Sequence, residues 1–326
     1  MKARNLNAIA EAIGKAQTIA LCCHVSPDGD AVGSTLALRL GLEKLGKQVT
    51  CFCQDKVPDN LRMLRGADEF LAPEKAQGRF DLLVAIDVAD QRRMGRCACL
   101  LDMADATAQI DHHGTNPGYM QENAIDAASP SSALLIRALL GLLGVALDRE
   151  IAMCLYAGMS TDTGNFAFSS TNAETFQVMG ELMEAGLPLN DMHRALFRER
   201  SMPQILLLAK ALGSLQFHRE GRISLMHLSR QDMLDCHALP EHADAIVNFG
   251  LDVTGVKLAA LLRESPDGTV KCSLRAIDGG AVDGVAASFG GGGHRLAAGC
   301  TMSGPLEDAM ARMLSALENA LDGVTA

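Results

Sequence analysis

The chain has 326 residues, 48% of them hydrophobic, enough for a sizeable core and, at about 100 to 200 residues per domain, for two domains. Its net charge of -10, from 29 Lys+Arg against 39 Asp+Glu, excludes a protein that grips long duplex nucleic acid by counterion release. The absence of Trp and the presence of only two Tyr leave little aromatic surface for stacking along a single strand. A short anionic ligand in a local pocket stays open.

The N-terminal MKARNLNAIAEAIGKAQ carries no apolar secretion signal, and the ten cysteines include no C-x-x-C pair, so the expectation is a cytoplasmic protein with reduced thiols. The pairs Cys51/Cys53 and Cys97/Cys99 read as small apolar filler. Residues 18–25 (TIALCCHV) predict a strand, followed by a polar turn SPDGD and an amphipathic helix AVGSTLALRLGLEKLG. Further strand-like runs are QVTCFC (48–53), DLLVAIDVA (81–89) and AQIDHH (108–113). Near-continuous apolar strands between helices point to a doubly wound α/β fold with a mainly parallel sheet covered on both faces.

Helices are expected at 131–143, 150–159 and 173–185, the last ended by Gly186 and Pro188. The apolar stretch 133–147 is interrupted by Arg137 and falls short of the roughly 20 residues that cross a bilayer, so no membrane partner is expected. Helical stretches at 190–200 and 203–212 would connect the halves. From Ser214 the texture changes to α+β, with one hairpin turning at Glu220-Gly221 and a second at Pro266-Asp267-Gly268. The expected organisation is a catalytic domain over 1–187, a helical linker over 188–213 and a smaller α+β domain over 214–326.

The chemistry concentrates at strand ends. His24, Asp28 and Asp30 follow the first strand, Asp87 closes DLLVAID, Asp111, His112 and His113 close AQIDHH, and Asp162 follows a helix in STDTGNF. In an open α/β sheet these carboxyl ends form the ligand crevice, so four segments deliver carboxylates and imidazoles to one edge. Converging aspartates repel one another and raise their own pKa values unless cations neutralise them, which two divalent metals would do. Imidazoles with several carboxylates and no thiolate suit Mn²⁺, with Mg²⁺ or Co²⁺ as substitutes, and such a pair activates water at phosphorus. Asp28 taken singly fits a helix cap equally well.

HVSPDGDAVGS, AIDVAD, DHH and STDTGNF resemble the four motifs of the DHH phosphoesterase superfamily, and Gly290-Gly-Gly-Gly-His294-Arg-Leu-Ala-Ala-Gly299 resembles the signature of its DHHA1 domain. Domain pairing and length are similar to the bacterial bifunctional oligoribonuclease (nanoRNase)/pAp phosphatase group. The resemblance implies that His24, Asp28 and Asp87 hold one metal and Asp30, Asp87, His112 and Asp162 the other, with Asp87 bridging. It further implies that His113 faces the substrate phosphate and that Asp111 orients the imidazoles. Arg275, Gly291, Gly292, Gly293 and His294 match the family's substrate-binding positions, while Arg263, Lys271 and Arg295 are weaker candidates.

Four successive glycines can also present backbone N–H groups to an anion, and a following helix start would add its dipole. Asp90 and Arg93 fall near the site or in a solvated loop. The five histidines outside the motifs, His193, His218, His227, His237 and His242, read as surface or satisfied structural residues. The partners implied are short RNA, linear dinucleotides and pAp, and the resemblance favours a homodimer. Family II pyrophosphatases lack the GGGGH run, RecJ-type exonucleases are much longer, and membrane-bound cyclic-dinucleotide phosphodiesterases carry additional N-terminal segments. A catalytically silent nucleotide sensor would not need the full ligand set.

Overall fold

The computed structural model describes residues 2–277 and 279–323. The chain divides into two compact units, with the division between Glu199 and Arg200, inside the segment expected to link them.

The first unit runs α1 (Lys2–Lys15), β1 (Thr18–Cys22), α2 (Gly29–Lys44), β2 (Gln48–Phe52), β3 (Phe80–Ile86), β4 (Ala104–Asp111) and β5 (Glu122–Ile125). It continues with α3 (Ser132–Leu142), α4 (Arg149–Asp162), α5 (Ala173–Glu184), α6 (Leu189–His193) and a π turn, Arg194–Arg198. Helix α1 and strand β5 add to the elements expected from sequence. All five strands are parallel, in the order β2-β1-β3-β4-β5, so the winding direction reverses between β1 and β3. That reversal opens a crevice at the carboxyl ends of these two strands.

The strands read as apolar runs because both faces are buried. Ile19, Leu21, Leu82 and Val84 pack with the helices, whereas Ala20, Cys22, Leu83 and Ala85 pack with Met94, Cys97 and Leu100. Each large aliphatic side chain so buried contributes about 1.5 to 3 kcal/mol. The second face is closed by the 3₁₀ segment Gln91–Met103 where a doubly wound fold usually has an α-helix. Helices α2 and α4 touch backbone to backbone: a Cβ on Gly33 would lie 2.4 Å from the Cys154 carbonyl oxygen, and one on Gly158 2.5 Å from Asp30 Oδ1. This approach is what brings the start of α2 beside the end of α4. The ten cysteines are all free thiols.

The second unit runs α7 (Met202–Gly213), β6 (Gln216–His218), β7 (Ile223–Leu228), α8 (Arg230–Asp235), α9 (Ile246–Leu251), β8 (Leu258–Glu264) and β9 (Thr269–Ala276). It ends with α10 (Asp283–Ser288), β10 (Gly292–His294), β11 (Ala297–Ser303) and α11 (Leu306–Leu321). Its sheet has the order β10-β11-β9-β8-β7-β6, with β7 and β8 parallel and the other neighbours antiparallel. Both expected hairpins form. Along β9 the period of two is clean: Val270, Cys272, Leu274 and Ala276 are buried with α10 and α11, leaving Lys271, Ser273 and Arg275 on the opposite face.

The glycine run departs from expectation. No helix starts after it; Gly292–His294 pairs with β11 as a short hairpin. The amides of Gly290 and Gly291 donate to the Ala287 and Ala286 carbonyls at the end of α10, both at 2.9 Å, so they are not free for an anion. Gly293 has a φ of 144°, and a Cβ there would lie 2.6 Å from the Ala297 carbonyl oxygen. The glycines thus let two strands approach closely. His218 Nε2 and His227 Nδ1 are buried without a hydrogen-bond partner, so these two are not the satisfied histidines expected. Among the described residues no helix is long and apolar enough to cross a membrane.

Candidate metal centre and active site

His24 leaves the end of β1 almost fully buried, at 3% exposure, with Nε2 3.6 Å from Asp28 Oδ2 and 3.5 Å from Asp87 Oδ2. Asp28 does two things at once. Its Oδ1 accepts the amides of Asp30 and Ala31 at 3.1 and 3.0 Å and caps α2, which leaves Oδ2 to face His24. Asp30, in the first turn of α2, is fully buried. Its Oδ1 accepts from Ser34 Oγ and the Ala133 amide, both at 2.9 Å, and its Oδ2 accepts the Ser132 amide at 2.6 Å. The open N-terminus of α3 therefore holds this carboxylate.

Asp87 follows β3 with a φ of 60°, in the left-handed region, a conformation that costs a non-glycine residue about 1 to 3 kcal/mol. The Ile110 carbonyl accepts its amide at 2.9 Å and Ser132 Oγ donates to its Oδ1 at 3.0 Å, which pins the strained turn. After β4, His112 places Nε2 3.1 Å from Asp162 Oδ2, 3.5 Å from Asp87 Oδ1 and 3.9 Å from Asp30 Oδ2. Its Nδ1 lies 3.2 Å from the Ser129 carbonyl oxygen, an acceptor that keeps a proton on Nδ1 and turns Nε2 toward the carboxylates. Asp162, expected just beyond a helix, is the last residue of α4.

His113 Nδ1 is 2.8 Å from Asp111 Oδ1, and the imidazole is only half-buried. Asp111 is fully buried, with Oδ2 accepting from Asn116 Nδ2 at 2.6 Å. Asn116 and Ser132 were not picked out in the sequence. Ser132 lies in the SPSSALL helix start, and Asn116 stands three residues beyond His113. Asp90 caps the 3₁₀ segment, while the Arg93 guanidinium reaches 3.0 Å from His24 Nδ1. The Val25 carbonyl oxygen is 2.8 Å from the same nitrogen. A guanidinium only donates and a carbonyl only accepts, so these two contacts require opposite tautomers of His24.

These donors form three overlapping groups whose atoms lie within 4.8 Å of one another: His24, Asp28 and Asp87; Asp30, His112 and Asp162; and Asp87, His112 and His113. Asp87 belongs to two of them. Burial opposes charge on His24 and His112, yet the facing carboxylates, Asp28 and Asp87 for one and Asp162 and Asp30 for the other, push both up to about 10. Burial drives the Asp30 carboxyl up, reinforced by Asp87 and Asp162, and burial likewise raises Asp162. Excess carboxylate is thus balanced by held protons. Divalent cations fit this set of hard oxygen and imidazole donors, which could hold them in exchange for those protons.

In the second unit, Arg275 is half-buried on β9 with Nη1 donating to the Leu274 carbonyl at 2.9 Å. It pairs in register with Ala297 of β11, which pairs in turn with the exposed His294 of β10. Arg275 and His294 therefore share one face of that sheet.

A parallel sheet whose switch point gathers carboxylates and imidazoles around a shared aspartate suits the hydrolysis of phosphate esters. Residues 18–159 match the DHH family, N-terminal domain, and residues 237–323 match the DHHA1 domain. The chain is 33% identical to the bifunctional oligoribonuclease and PAP phosphatase NrnA of Thermus thermophilus over 93% of its own length and 90% of that protein. It is 25% identical to the protein of the same name from Bacillus subtilis, over 87% and 89% of the two chains. The crystal structure of an exopolyphosphatase-related protein from Bacteroides fragilis superposes with a TM-score of 0.90 at 25% identity, covering 99% of this chain and 98% of that one. The chain belongs to the DHH family.

Proposed function

We propose that the enzyme hydrolyses short oligoribonucleotides of about 2 to 5 nucleotides, including linear dinucleotides such as pGpG and pApA, to 5'-mononucleotides, and pAp to AMP. The observation that carries this reading is the sharing of Asp87 between donor groups that join His24 and Asp28 on one side to His112 on the other. The names of the relatives from Thermus thermophilus and Bacillus subtilis support the substrate class. On this reading His24, Asp28 and Asp87 hold one divalent cation and Asp30, Asp87, His112 and Asp162 a second, with Mn²⁺ suited to the donors.

When bound, such cations offset negative charge at the reacting phosphate and ease the deprotonation of water. The protein's own part follows from its hydrogen bonds. Asp111 holds His113 Nδ1, so the Nε2 side of the ring serves the phosphate or the leaving oxygen as proton donor. The Ser132 hydroxyl and the α3 N-terminus fix Asp87 and Asp30 before any ligand arrives. Arg275 and His294 take the substrate's other phosphate or terminal nucleotide, with the hairpin backbone at Gly291, Gly292 and Gly293 leaving room for its close approach. A homodimer is the assembly we infer, tested by light scattering.

The test is a Mn²⁺-supplemented hydrolysis panel on pAp, pGpG, oligoribonucleotides of about 2 to 24 nucleotides and pyrophosphate, with products identified. The reading requires AMP from pAp and the highest kcat/KM on the short RNA. Faster processive degradation of the longest strand would move the assignment to a RecJ-like exonuclease, and binding without turnover to a nucleotide sensor.

A further inference from the structure

The open face of the second unit's sheet carries more positive charge than Arg275. Antiparallel pairing sets Arg263 of β8 directly opposite Lys271 of β9, so both side chains rise from the same face, and Ser273 and Arg275 follow on that face at steps of two. Alternate residues on a strand are about 6.8 Å apart, so Arg275 to Lys271 is about 13 Å, on the scale of two nucleotide steps in an extended strand. Between them stands the exposed Ser273, and its β11 partner is Gly299, which adds no side chain to the path.

At the far end of this line a pocket of about 340 Å³ opens, lined by Glu241, Asp244, Leu261, Arg263, Lys271 and Ser273 among others. Among the described residues neither Arg263 nor Lys271 has a carboxylate within ion-pair distance, although Arg39, Arg79, Arg96 and Arg137 all do. Asp244 stands close enough to feel them: burial and the neighbouring Glu241 push its carboxyl up, and Arg263, then Lys271 and Arg275, pull it back. Unpaired cations beside a carboxylate acceptor make a mixed site. A ribonucleotide matches it, with phosphate oxygens accepting from the cations and a 2'-hydroxyl donating to the carboxylate.

We propose that the Arg263–Lys271–Asp244 pocket is a distal ribonucleotide subsite that binds the phosphate and ribose of a nucleotide beyond the one held at Arg275. The subsite rests on the oligoribonuclease reading and gives it a length dependence. A pentanucleotide with one phosphate at Arg275 spans the roughly 13 Å to the distal contacts; pAp and a dinucleotide anchored there are too short to reach them. Asp244 makes the distal position prefer ribose over deoxyribose.

The experiment compares wild type, the Arg263→Ala/Lys271→Ala pair and Asp244→Asn, each with a thermal melt, on pAp, a diribonucleotide and a pentaribonucleotide. The expected result for the double variant is a KM about tenfold higher for the pentamer, with pAp and dinucleotide hydrolysis unchanged. Binding of a hydrolysis-resistant pentamer should lose about 1.4 from its log–log salt slope, because two cations no longer release counterions. Asp244→Asn should erase the penalty of a single distal 2'-deoxy substitution. Equal effects on all lengths, or no effect on the pentamer, would overturn the subsite. Should the double variant melt early, Lys271→Glu replaces it, with the same outcomes decisive. Lack of turnover by wild type on every substrate would instead overturn the hydrolase reading, and the binding titration would still decide the subsite.

Discussion

The two units handle charge in opposite ways. In the first, Asp30, Asp87 and Asp111 are at most 2% exposed, the first two fixed by donors from the start of α3 and the third by His113 and Asn116, so the site is rigid and costly to disturb. In the second, Lys271, Ser273 and His294 lie on an open strand face, held by backbone register and little else. Buried, over-determined charge suits bond breaking, where preorganisation sets the rate. Exposed charge on a regular strand suits binding, where each contact adds a modest, separable increment.

The contrast is tested hardest at Asp87. Asp87→Ala is expected to abolish turnover and sharply weaken divalent-cation binding by titration calorimetry, because it removes the shared carboxylate. Asp87→Gly sharpens the point. It relieves the strained backbone as well as the carboxylate crowding, so the metal-free protein should melt no earlier than wild type while being equally inactive. Retained turnover in either variant would break the assignment.

The next effect separates chemistry from binding. His113→Ala should lower kcat by roughly 10²-fold with little change in KM if the imidazole serves as the proposed proton donor in the transition state. Arg275→Ala should raise KM by about tenfold while kcat moves little. The reverse pattern would mean that the two units' roles have been exchanged.

The way these residues became legible differs as well. His24, Asp28, Asp30, Asp87 and Asp111 to His113 were readable because apolar runs end on them, and the carboxyl ends of parallel strands must share a crevice. Asp162 was grouped with them as a fourth segment, although nothing in the spacing says that α4 packs against α2. The glycines at 33 and 158 that permit it look like ordinary helix glycines in the sequence. Ser132 escaped because its role is a long-range hydrogen bond, which no local pattern encodes, and Asn116 because its partner Asp111 lies across a turn whose geometry the spacing does not give. The glycine run misled for a physical reason: four adjacent amides suggest an anion cradle, but two of them close α10.

Protonation gives a smaller effect with a definite sign. His24 and His112 are raised from 6.5 to about 10 in the fold, so the stability they contribute to the cation-free protein is full below about pH 6.5 and lost as pH rises through about 10. Bound cations need the deprotonated ligands, so the increase in Tm on adding Mn²⁺ should grow between pH 6 and 9, read by differential scanning fluorimetry in about unit steps of pH. A Tm gain that falls with pH would contradict cation binding at these imidazoles.

The smallest effect compares a buried positioning residue with an open-face one. Burial works against ionisation of Asp111, but hydrogen bonds from His113 and Asn116 hold its carboxyl below the usual range. Asn116→Ala removes one of those donors while leaving His113 in place, so kcat should fall only by about fivefold, with KM unchanged. The telling readout is the pH profile. A carboxyl held low supplies its orienting charge above its ordinary pKa and loses it as pH falls, so weakening that hold must move the acid limb of kcat upward. Ser273→Ala on β9 should leave both the profile and pAp hydrolysis unchanged and alter stability by no more than about 0.5 kcal/mol, as expected for an exposed strand position. An acid limb that stays fixed in Asn116→Ala would show that Asp111 needs no second donor, and the network around the first site would then be structural support alone.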